Sequence, residues 1–489
     1  MKEKQIFYVI IIILVVVVLC FIYEELSKQN MENPPNYKAY GVDRNSVGGQ
    51  HKCVPTEPLY EGGHDSVISP DSLSLNLKSI NNQRIHDEYK VEIDSVAVAD
   101  SSDFNASTEI IETEIDILNI IKADSIGTNE NESFVEVNNI KRKDRPEFMQ
   151  GLYVTAYRAA NRNFDDFLLR AKEAGINTIV FDVKEMQGFV YFSIRNHPQL
   201  EYTYAEPILN INRIVEKIHA NGLYAVARAV QFYNITTATR HPDLQPRNTD
   251  GGFWQERAGT PTWLDSSHPL VQAELLKIID IIASSNVDEI QLDYVRFPTE
   301  GRLSNAVFYF ETEDKERLAL DSLYVKREKR DIIRDYVRDV REVVDRHNVR
   351  LSADIFAIVA WQREADIRNT GQDIAYMTPY LHHLHPMIYS SHFSDGFNFN
   401  AEDIVNKPYP IVRRGLEMTI RKTDPSCKVI PYLQAFGWRV NYHKGYIFDQ
   451  LNAAVDSGSD GYILWNAGGN YNTSLPWIKE WNAELRIMN

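Results

Sequence analysis

The sequence predicts an α/β fold, a (β/α)8 TIM barrel with insertions that follows an N-terminal anchor and a polar tether. Beyond Pro146, short apolar strands alternate with segments of helix length, and this alternation predicts a parallel sheet. The alternation repeats eight times, which is the number of units in a TIM barrel. The rival fold, an open doubly wound sheet, would carry a glycine-rich turn after its first strand, where this chain has Tyr157-Arg-Ala-Ala160.

The predicted strands are short apolar runs that end near polar residues. The fourth lies within Asp288–Pro298, where Ile290, Leu292 and Tyr294 alternate with polar residues and Pro298 cannot continue a central ladder. The other seven are predicted at Gly151–Tyr157, Asn177–Val183, Leu223–Val230, Arg350–Phe356, His385–Tyr389, Lys428–Phe436 and Gly461–Trp465.

Helix start and stop signals agree with this alternation. Gly175 and the pair Asn221-Gly222 are C-terminal stop signals, and Pro269 suits a first helical turn. We expect insertions after strands two, three, four and six, the first being a hairpin-like segment at Gly188–Ile194. The predicted helices cover Phe164–Ala174, Ile208–Ala220, Pro269–Ser284, Asp331–Arg346, Gln372–Tyr380, Ile411–Arg421, Tyr446–Asp456 and Pro476–Leu485.

The N-terminal run Ile6–Tyr23 holds 18 residues without a charged side chain, a length that can just span a bilayer. Lys2 and Lys4 precede it and Glu24-Glu25 follows it, so we expect residues 1–5 in the cytoplasm. A cleaved signal peptide is the alternative, although no small-x-small cleavage site follows the run. The sequence therefore predicts a single-pass anchor that holds the main domain outside the cytoplasm, in the periplasm or at the cell surface.

Residues 24–145 are rich in Asn, Ser, Asp and Glu and have no long apolar periodicity. Such a composition is typical of a solvated tether. The basic run Lys141–Arg145 is interpreted as the charged boundary of the barrel domain, which we place at 146–489.

Charge and cysteine content limit the possible functions. The formal net charge of -16 argues against a nucleic-acid partner, because phosphate binding needs a basic surface. The three cysteines, Cys20, Cys53 and Cys427, are too far apart to predict a disulfide framework or a zinc site. Cofactor fingerprints are absent, and we expect a monomer that needs neither a metal nor another cofactor.

Ionisable, amide and aromatic residues collect at the carboxyl ends of the predicted strands. In a TIM barrel these ends meet at one face and form the active site. The residues that precede them are mainly Val, Ile, Leu and Ala, which would fit a packed barrel interior. The candidates are Tyr157, Asp182, Glu185, Arg228, Asp293, Tyr294, Arg296, Asp354, Tyr389, Gln434, Trp465 and Asn466, together with Trp263 in the loop after strand three.

Catalysis by carboxyl groups is the chemistry that remains after metal sites and nucleophilic triads are considered. His382, His383 and His385 could suggest a metal, but they begin strand six and so lie at the opposite end of the barrel. A Ser-His-Asp triad would need the G-x-S-x-G elbow, which is missing. Glycoside hydrolysis needs two carboxyl groups across one bond, one ionised and one protonated. Strands four and five supply such a pair, Asp293 and Asp354, and like charge with partial burial would raise one pKa.

The motifs of this chain resemble the glycoside hydrolase domains of unknown specificity that are distantly related to α-amylase-type TIM barrels. The resemblance covers roughly Gln150 to the C-terminus. It implies that Asp293 is the nucleophile and Asp354 the acid/base. It rests on Gly151-Leu-Tyr-Val-Thr-Ala-Tyr157, Val180-Phe-Asp-Val-Lys-Glu185, Gln291-Leu-Asp-Tyr-Val-Arg-Phe-Pro298, Leu351-Ser-Ala-Asp-Ile-Phe356 and Gly461-Tyr-Ile-Leu-Trp-Asn466.

Two departures from the amylase pattern leave the identity of the general acid undecided. Amylases carry Arg two residues before the nucleophile, where this chain has Gln291, and they use Glu as the acid, where this chain has Asp354. Glu185 is therefore the alternative acid.

The expected function is hydrolysis of a polysaccharide by a membrane-anchored enzyme. Rim aromatics would stack on sugar rings, while Asp182, Arg228 and Arg296 would position groups or tune charge. Two alternatives remain: a non-catalytic carbohydrate-binding or envelope-organising protein, and a metal-dependent hydrolase.

Overall fold

The computed structural model describes residues 142–361, 363–393 and 406–488. The predicted stub 1–5, the anchor 6–23 and all but the last residues of the predicted tether lie outside this part of the chain. Within the described residues, no helix combines the length and the apolar composition that crossing a membrane requires.

Eight strand positions run parallel around a barrel, as predicted. The two ends of the sheet are Lys428–Val429 and Tyr432–Gln434, which are two pieces of one strand, so the sheet closes on itself. The break falls at Pro431, which has no N–H to donate to a ladder. We number the barrel strands β1 Met149–Val154, β2 Thr178–Lys184, β3 Tyr224–Val230, β4 Glu289–Asp293, β5 Arg350–Ile355, β6 His383–Pro386, β7 Lys428–Val429 with Tyr432–Gln434, and β8 Gly461–Trp465.

Amphipathic helices cover the outside of the sheet. The helix Lys329–Arg346, for example, buries Ile333, Val337, Val340 and Val344 on one face and exposes charged residues on the other. The fifth unit carries two short helices, Glu364–Thr370 and Ile374–Met377, in place of one long one. The remaining long helices after the barrel strands are Phe164–Glu173, Ile211–Ala220, Pro269–Ala283, Tyr409–Ile420, Lys444–Asp456 and Ser474–Met488.

Most predicted strand bounds differ from the observed ones by a residue or more, and the differences at the first and sixth strands have clear structural reasons. The first ends at Val154 and not at Tyr157, because Thr155 accepts a hydrogen bond from the Arg158 N–H and caps a short helix, Ala156–Ala160. The sixth begins at His383 and ends at Pro386, so Tyr389 lies in the turn beyond it.

The barrel interior is more polar than the sequence suggested. At the bottom, the carboxylate of Glu289 accepts a hydrogen bond from the Tyr224 hydroxyl at 3.0 Å and lies 2.7 Å from His383 Nδ1. One layer higher, the Tyr432 hydroxyl donates to Gln291 Oε1 at 2.7 Å. Side chains alternate between the two faces of a strand, so the fully buried Ile290 and Leu292 face the helices instead.

The insertions surround the carboxyl ends of the strands. After β2, Phe189–Val190 pairs antiparallel with the end of that strand and parallel with Tyr204–Ala205, as the predicted hairpin-like segment suggested. The insertion after β3 contains the helix Ile235–Arg240, and that after β4 contains the helix Tyr309–Leu320. The two insertions are joined by a small antiparallel sheet of Arg247–Asn248 and Ala306–Val307.

Candidate active site

Arg228 stands at the centre of a group of three carboxyl side chains. Its Nη1 donates to Asp182 at 2.5 Å, and its Nη2 and Nε donate to Asp293 at 2.5 Å and 3.2 Å. The Nε also lies 4.0 Å from Asp354 Oδ2. Because β2, β3, β4 and β5 are consecutive strands of the sheet, their inward side chains meet in one layer at the carboxyl end of the barrel. The structure therefore brings together four residues that the sequence singled out.

Asp293 is surrounded by donors. Besides the two guanidinium N–H groups on Oδ2, the backbone N–H of Tyr294 donates to Oδ1 at 2.6 Å. Tyr294 adopts the left-handed backbone conformation, with φ of 51°, which is uncommon for a residue with a large side chain. This sharp turn ends β4 immediately after Asp293. Charged and backbone donors of this kind stabilise the ionised carboxylate, which is the form a nucleophile needs.

Asp354 has the opposite environment. It is 1% exposed, and neither carboxyl oxygen has a hydrogen-bond partner among the described residues. Burial raises its pKa well above the ordinary value, and the negative charge of Asp293 adds to the effect. Burial of this kind favours the protonated form of a carboxyl group, which is the form that a general acid needs. The two neighbouring carboxyl groups thus have contrasting environments.

Asp182 completes the inward layer together with a residue that the sequence reasoning missed. The hydroxyl of Tyr153 donates to Asp182 Oδ2 at 2.5 Å, and the guanidinium of Arg228 lies 5.4 Å from the centre of the Tyr153 ring. Burial raises the pKa of Asp182, which the contact with Arg228 opposes. Tyr153 is the inward residue near the end of β1, so correct placement of that strand end would have found it.

Glu185, the alternative acid, lies just beyond the end of β2. It is half-buried, and its Oε1 accepts a hydrogen bond from the Gln187 N–H at 3.1 Å. Burial raises its pKa, and the charge of Asp182 raises it further. Its neighbour in space, Tyr191, packs edge-on against Tyr157 at 5.6 Å. The Tyr157 hydroxyl donates to Glu206 at 3.0 Å, which places this predicted residue at the edge of the site.

An aromatic wall lies on the β8 side of the carboxyl cluster. Trp465 stacks on Tyr389 with ring centres 5.5 Å apart and on Tyr153 at 6.0 Å. Phe436, which the sequence reasoning did not select, packs edge-on against both Tyr389 and Trp465. The half-exposed Trp438 extends this wall through His392. Aromatic faces of this kind are suited to the apolar faces of sugar rings.

A second aromatic group lies on the β4 side. Trp263, Tyr294 and Tyr233 pack against one another with ring centres between 5.0 and 5.9 Å apart. Their mutual contact brings the loop after β3 against the turn after β4. Arg296 lies over the rings of Trp263, Tyr294 and Phe356.

Two predicted substrate-binding residues are engaged elsewhere. Gln434 is fully buried, and its amide bonds the Phe436 carbonyl, the Ser391 N–H and the Tyr446 hydroxyl. Asn466 donates to the Ala435 carbonyl at 2.9 Å and accepts from backbone N–H groups in the turn that follows β8. Both amides tie loops to the barrel rim, and contact of Gln434 or Asn466 with a substrate stays a prediction.

Comparison with known proteins matches this chain to a family and a fold. A family model with the description "Putative glycosyl hydrolase domain" matches residues 151–471. The glycoside hydrolase domain of PgaB (BpsB) from Bordetella bronchiseptica aligns with a TM-score of 0.51 at 12% identity, over 68% of this chain and 98% of that domain. The catalytic domain of β-amylase from Paenibacillus polymyxa aligns with a TM-score of 0.48 at 12% identity, over 69% of this chain and 98% of that domain. No curated protein matches the sequence significantly.

Proposed function

Because this chain belongs to that glycosyl hydrolase domain family, we propose that it cleaves a polysaccharide with two carboxyl groups, Asp293 and Asp354. The observation that carries the proposal is the contrast between them. Asp293 accepts three N–H donors, whereas Asp354 is buried with both oxygens unpartnered among the described residues. Glycoside hydrolysis uses one ionised and one protonated carboxyl group in this way.

In the proposed reaction, Asp354 gives its proton to the glycosidic oxygen while the bond from that oxygen to the anomeric carbon breaks. The carboxylate of Asp293 forms a bond to the same carbon, and the proton leaves with the released sugar. Water then attacks the anomeric carbon, Asp354 takes a proton from it, and Asp293 is released. Arg228 positions the Asp293 carboxylate, and Asp182 with Tyr153 holds the guanidinium in place.

The aromatic groups support a carbohydrate substrate. Tyr389, Trp465 and Phe436 lie on one side of the carboxyl cluster, and Trp263 with Tyr294 lies on the other. Ring faces on both sides of a carboxyl pair would hold sugar residues across the bond that breaks. The predicted anchor at residues 6–23 leads us to propose further that the enzyme acts outside the cytoplasm.

One observation favours the non-catalytic alternative. Both oxygens of Asp293 already accept hydrogen bonds, from Arg228 and from the Tyr294 N–H, so the nucleophile is fully engaged before substrate arrives. A barrel that only binds glycan could keep such a closed network. Among the described residues, no group of three or more His, Cys, Asp or Glu side chains could hold a metal ion.

The test uses the full-length chain, incubated with a panel of neutral and acidic polysaccharides and assayed for released reducing ends. We expect Asp293→Asn to lower the rate by at least about a thousandfold, because it removes the nucleophile. Asp166→Asn, which alters an exposed carboxylate on the helix Phe164–Glu173, should keep the wild-type rate. Wild-type activity in Asp293→Asn would refute the nucleophile, and retention of a glycan without cleavage would favour the binding protein.

A further inference from the structure

Arg296 is a nearly buried cation without an acidic partner. It is 9% exposed, and no carboxylate of the described residues lies within 4.0 Å of its guanidinium. Within the described part of the chain, the hydrogen bonds of its guanidinium run from Nη1, to the Phe297 carbonyl at 3.0 Å and to Thr299 Oγ1 at 3.4 Å. Arg228, in the same site, has three carboxyl neighbours. Taking a cation out of water is unfavourable, and burial lowers the pKa of Arg296; the charges of Asp293, Glu256 and Glu300 oppose this shift, although none of them forms an ion pair with it within 4.0 Å.

The aromatic rings around Arg296 leave one edge of the guanidinium available. Its central carbon lies 4.9 Å from the ring centre of Trp263, 5.0 Å from that of Phe356 and 5.3 Å from that of Tyr294. Stacking of this kind occupies the flat faces of the group and not its N–H edges. Since Nη1 is used within the protein, the edge formed by Nε and Nη2 remains. That edge presents two parallel N–H donors, the arrangement that matches a carboxylate.

The position of Arg296 places its side chain near the two proposed catalytic residues. Arg296 follows Asp293 by three residues in the turn that ends β4, and Phe356 follows Asp354 by two residues at the end of β5. Phe356 is 38% exposed, so solvent reaches the aromatic group on this side. The indole N–H of Trp263 is buried without an acceptor among the described residues, which leaves a second donor without a partner.

We propose that Arg296 binds the carboxylate of a sugar residue next to the cleaved bond, so that the substrate is an acidic polysaccharide of the uronic-acid type. This inference rests on the proposed function, whose substrate class it names. The net charge of -16 gives no long-range attraction for such a polymer. Recognition therefore depends on local contact with Arg296, and an ammonium group, which lacks the two-donor edge, would replace it only in part.

Binding to the full-length chain tests the proposal, with Asp293→Asn as the background so that no ligand is consumed. The probes are hexasaccharides of galacturonate, glucuronate and mannuronate, each paired with its carboxyl-reduced neutral counterpart, and calorimetry gives the dissociation constants. We expect at least one acidic hexasaccharide to bind about tenfold to a hundredfold more tightly than its counterpart. Arg296→Gln should abolish that difference, and Arg296→Lys should keep part of it.

The matched control is Arg317→Gln, which removes one positive charge from the exposed face of the helix Tyr309–Leu320. It should leave the preference for acidic hexasaccharides unchanged, and thermal melts should show that both glutamine variants are folded. The proposal is overturned if no acidic hexasaccharide is preferred, or if the preference survives in Arg296→Gln. Acid-selective binding through Arg296 without cleavage by the wild-type enzyme would support the carboxylate site and refute the hydrolysis. Cleavage of neutral glycans at the same rate as acidic ones would support the hydrolysis and refute the carboxylate site.

Discussion

Asp293 and Asp354 show how one residue type meets two different environments on neighbouring strands. Arg228 donates to Asp293 at 2.5 Å and only approaches Asp354, at 4.0 Å. Asp354 is left with burial and with the negative charge of Asp293, and both raise its pKa. The assignment of nucleophile and acid thus depends on which carboxyl group the guanidinium reaches. The buried Glu289 acts in the same direction, since its charge also raises the pKa of Asp354.

This difference predicts how stability depends on pH. Above the ordinary Asp pKa of about 4, the unfolded chain loses the Asp354 proton while the folded protein keeps it. The contribution of Asp354 to the free energy of unfolding is therefore fully present below about pH 4 and declines as the pH rises towards the raised pKa of the folded state. Asn mimics the protonated acid, so Asp354→Asn should be more stable than wild type at neutral pH. Each pH unit between the two pKa values widens the difference by about 1.4 kcal/mol.

Urea denaturation of both proteins between pH 4 and 8 measures the effect, with Asp293→Asn, the same substitution at the neighbouring carboxyl group, as the comparison. A stability difference that stays constant across this range would show that Asp354 is ionised in the folded protein. The same variant should lose hydrolytic activity, whereas Glu185→Gln should retain it. Loss of activity only in Glu185→Gln would make Glu185 the acid.

At the residue scale, the strand-end pattern identified the residues of the carboxyl cluster but not the hydrogen bonds between them. Asp182, Arg228, Asp293 and Asp354 follow from the rule that polar residues ending parallel strands share one face. Which nitrogen of Arg228 reaches which carboxylate depends on side-chain conformation, which periodicity does not encode. Gln434 obeys the same pattern, yet its amide turns towards Tyr446 and Ser391 because those buried groups need hydrogen-bond partners.

Elements were predicted well where a cap or a stop signal marks their ends. The helix stop at Gly175 and the proline start at Pro269 both agree with the structure. β6 was predicted to begin at His385 but begins at His383, because His383 looks polar to a hydrophobic pattern. Both histidines face the barrel interior, where Glu289 is their partner. A polar barrel interior therefore hides strand ends from methods that count apolar residues.

The seam between β1 and β8 depends on a glycine. Gly461 has φ of 145°, and a Cβ atom there would come 2.2 Å from the carbonyl oxygen and 2.6 Å from the nitrogen of Met149. These are backbone atoms of β1, so no side chain can move to relieve the clash. We predict that this clash lowers the free energy of unfolding of Gly461→Ala by about 1–3 kcal/mol beyond the backbone penalty, or prevents the barrel from closing.

Gly458→Ala is the matched control for this prediction. Gly458 also has a positive φ, 76°, but a Cβ atom there would meet nothing within 4 Å. It should carry only the backbone penalty, about 1–2 kcal/mol. Equal destabilisation of the two variants by urea denaturation would show that the contact with Met149 adds nothing.

At the scale of the whole molecule, contacts with the barrel begin before the predicted boundary at residue 146. Arg142 donates from Nη2 to the Ala283 carbonyl at 2.9 Å, from Nη1 to the Ser285 carbonyl at 2.9 Å and from Nε to the His347 carbonyl at 3.2 Å. It also bonds the Val287 carbonyl, and the Lys143 N–H donates to Asp288 at 2.7 Å. Hydropathy could not predict these contacts, because a basic run beside a polar segment resembles a solvated boundary.

Arg142 therefore joins the end of the helix Pro269–Ala283 to the segment that leads into β4, the strand that carries Asp293. Carbonyl groups at a helix end lack partners within the helix, and a cation there is favourable. We predict that Arg142→Ala in the full-length chain lowers the free energy of unfolding by about 2–3 kcal/mol, since several carbonyls lose a charged donor. Arg145→Ala, which removes one bond to the Glu147 carbonyl, should change it by less than about 0.5 kcal/mol. Urea denaturation compares the two, and equal stability would mean that residues before 146 add nothing to the barrel.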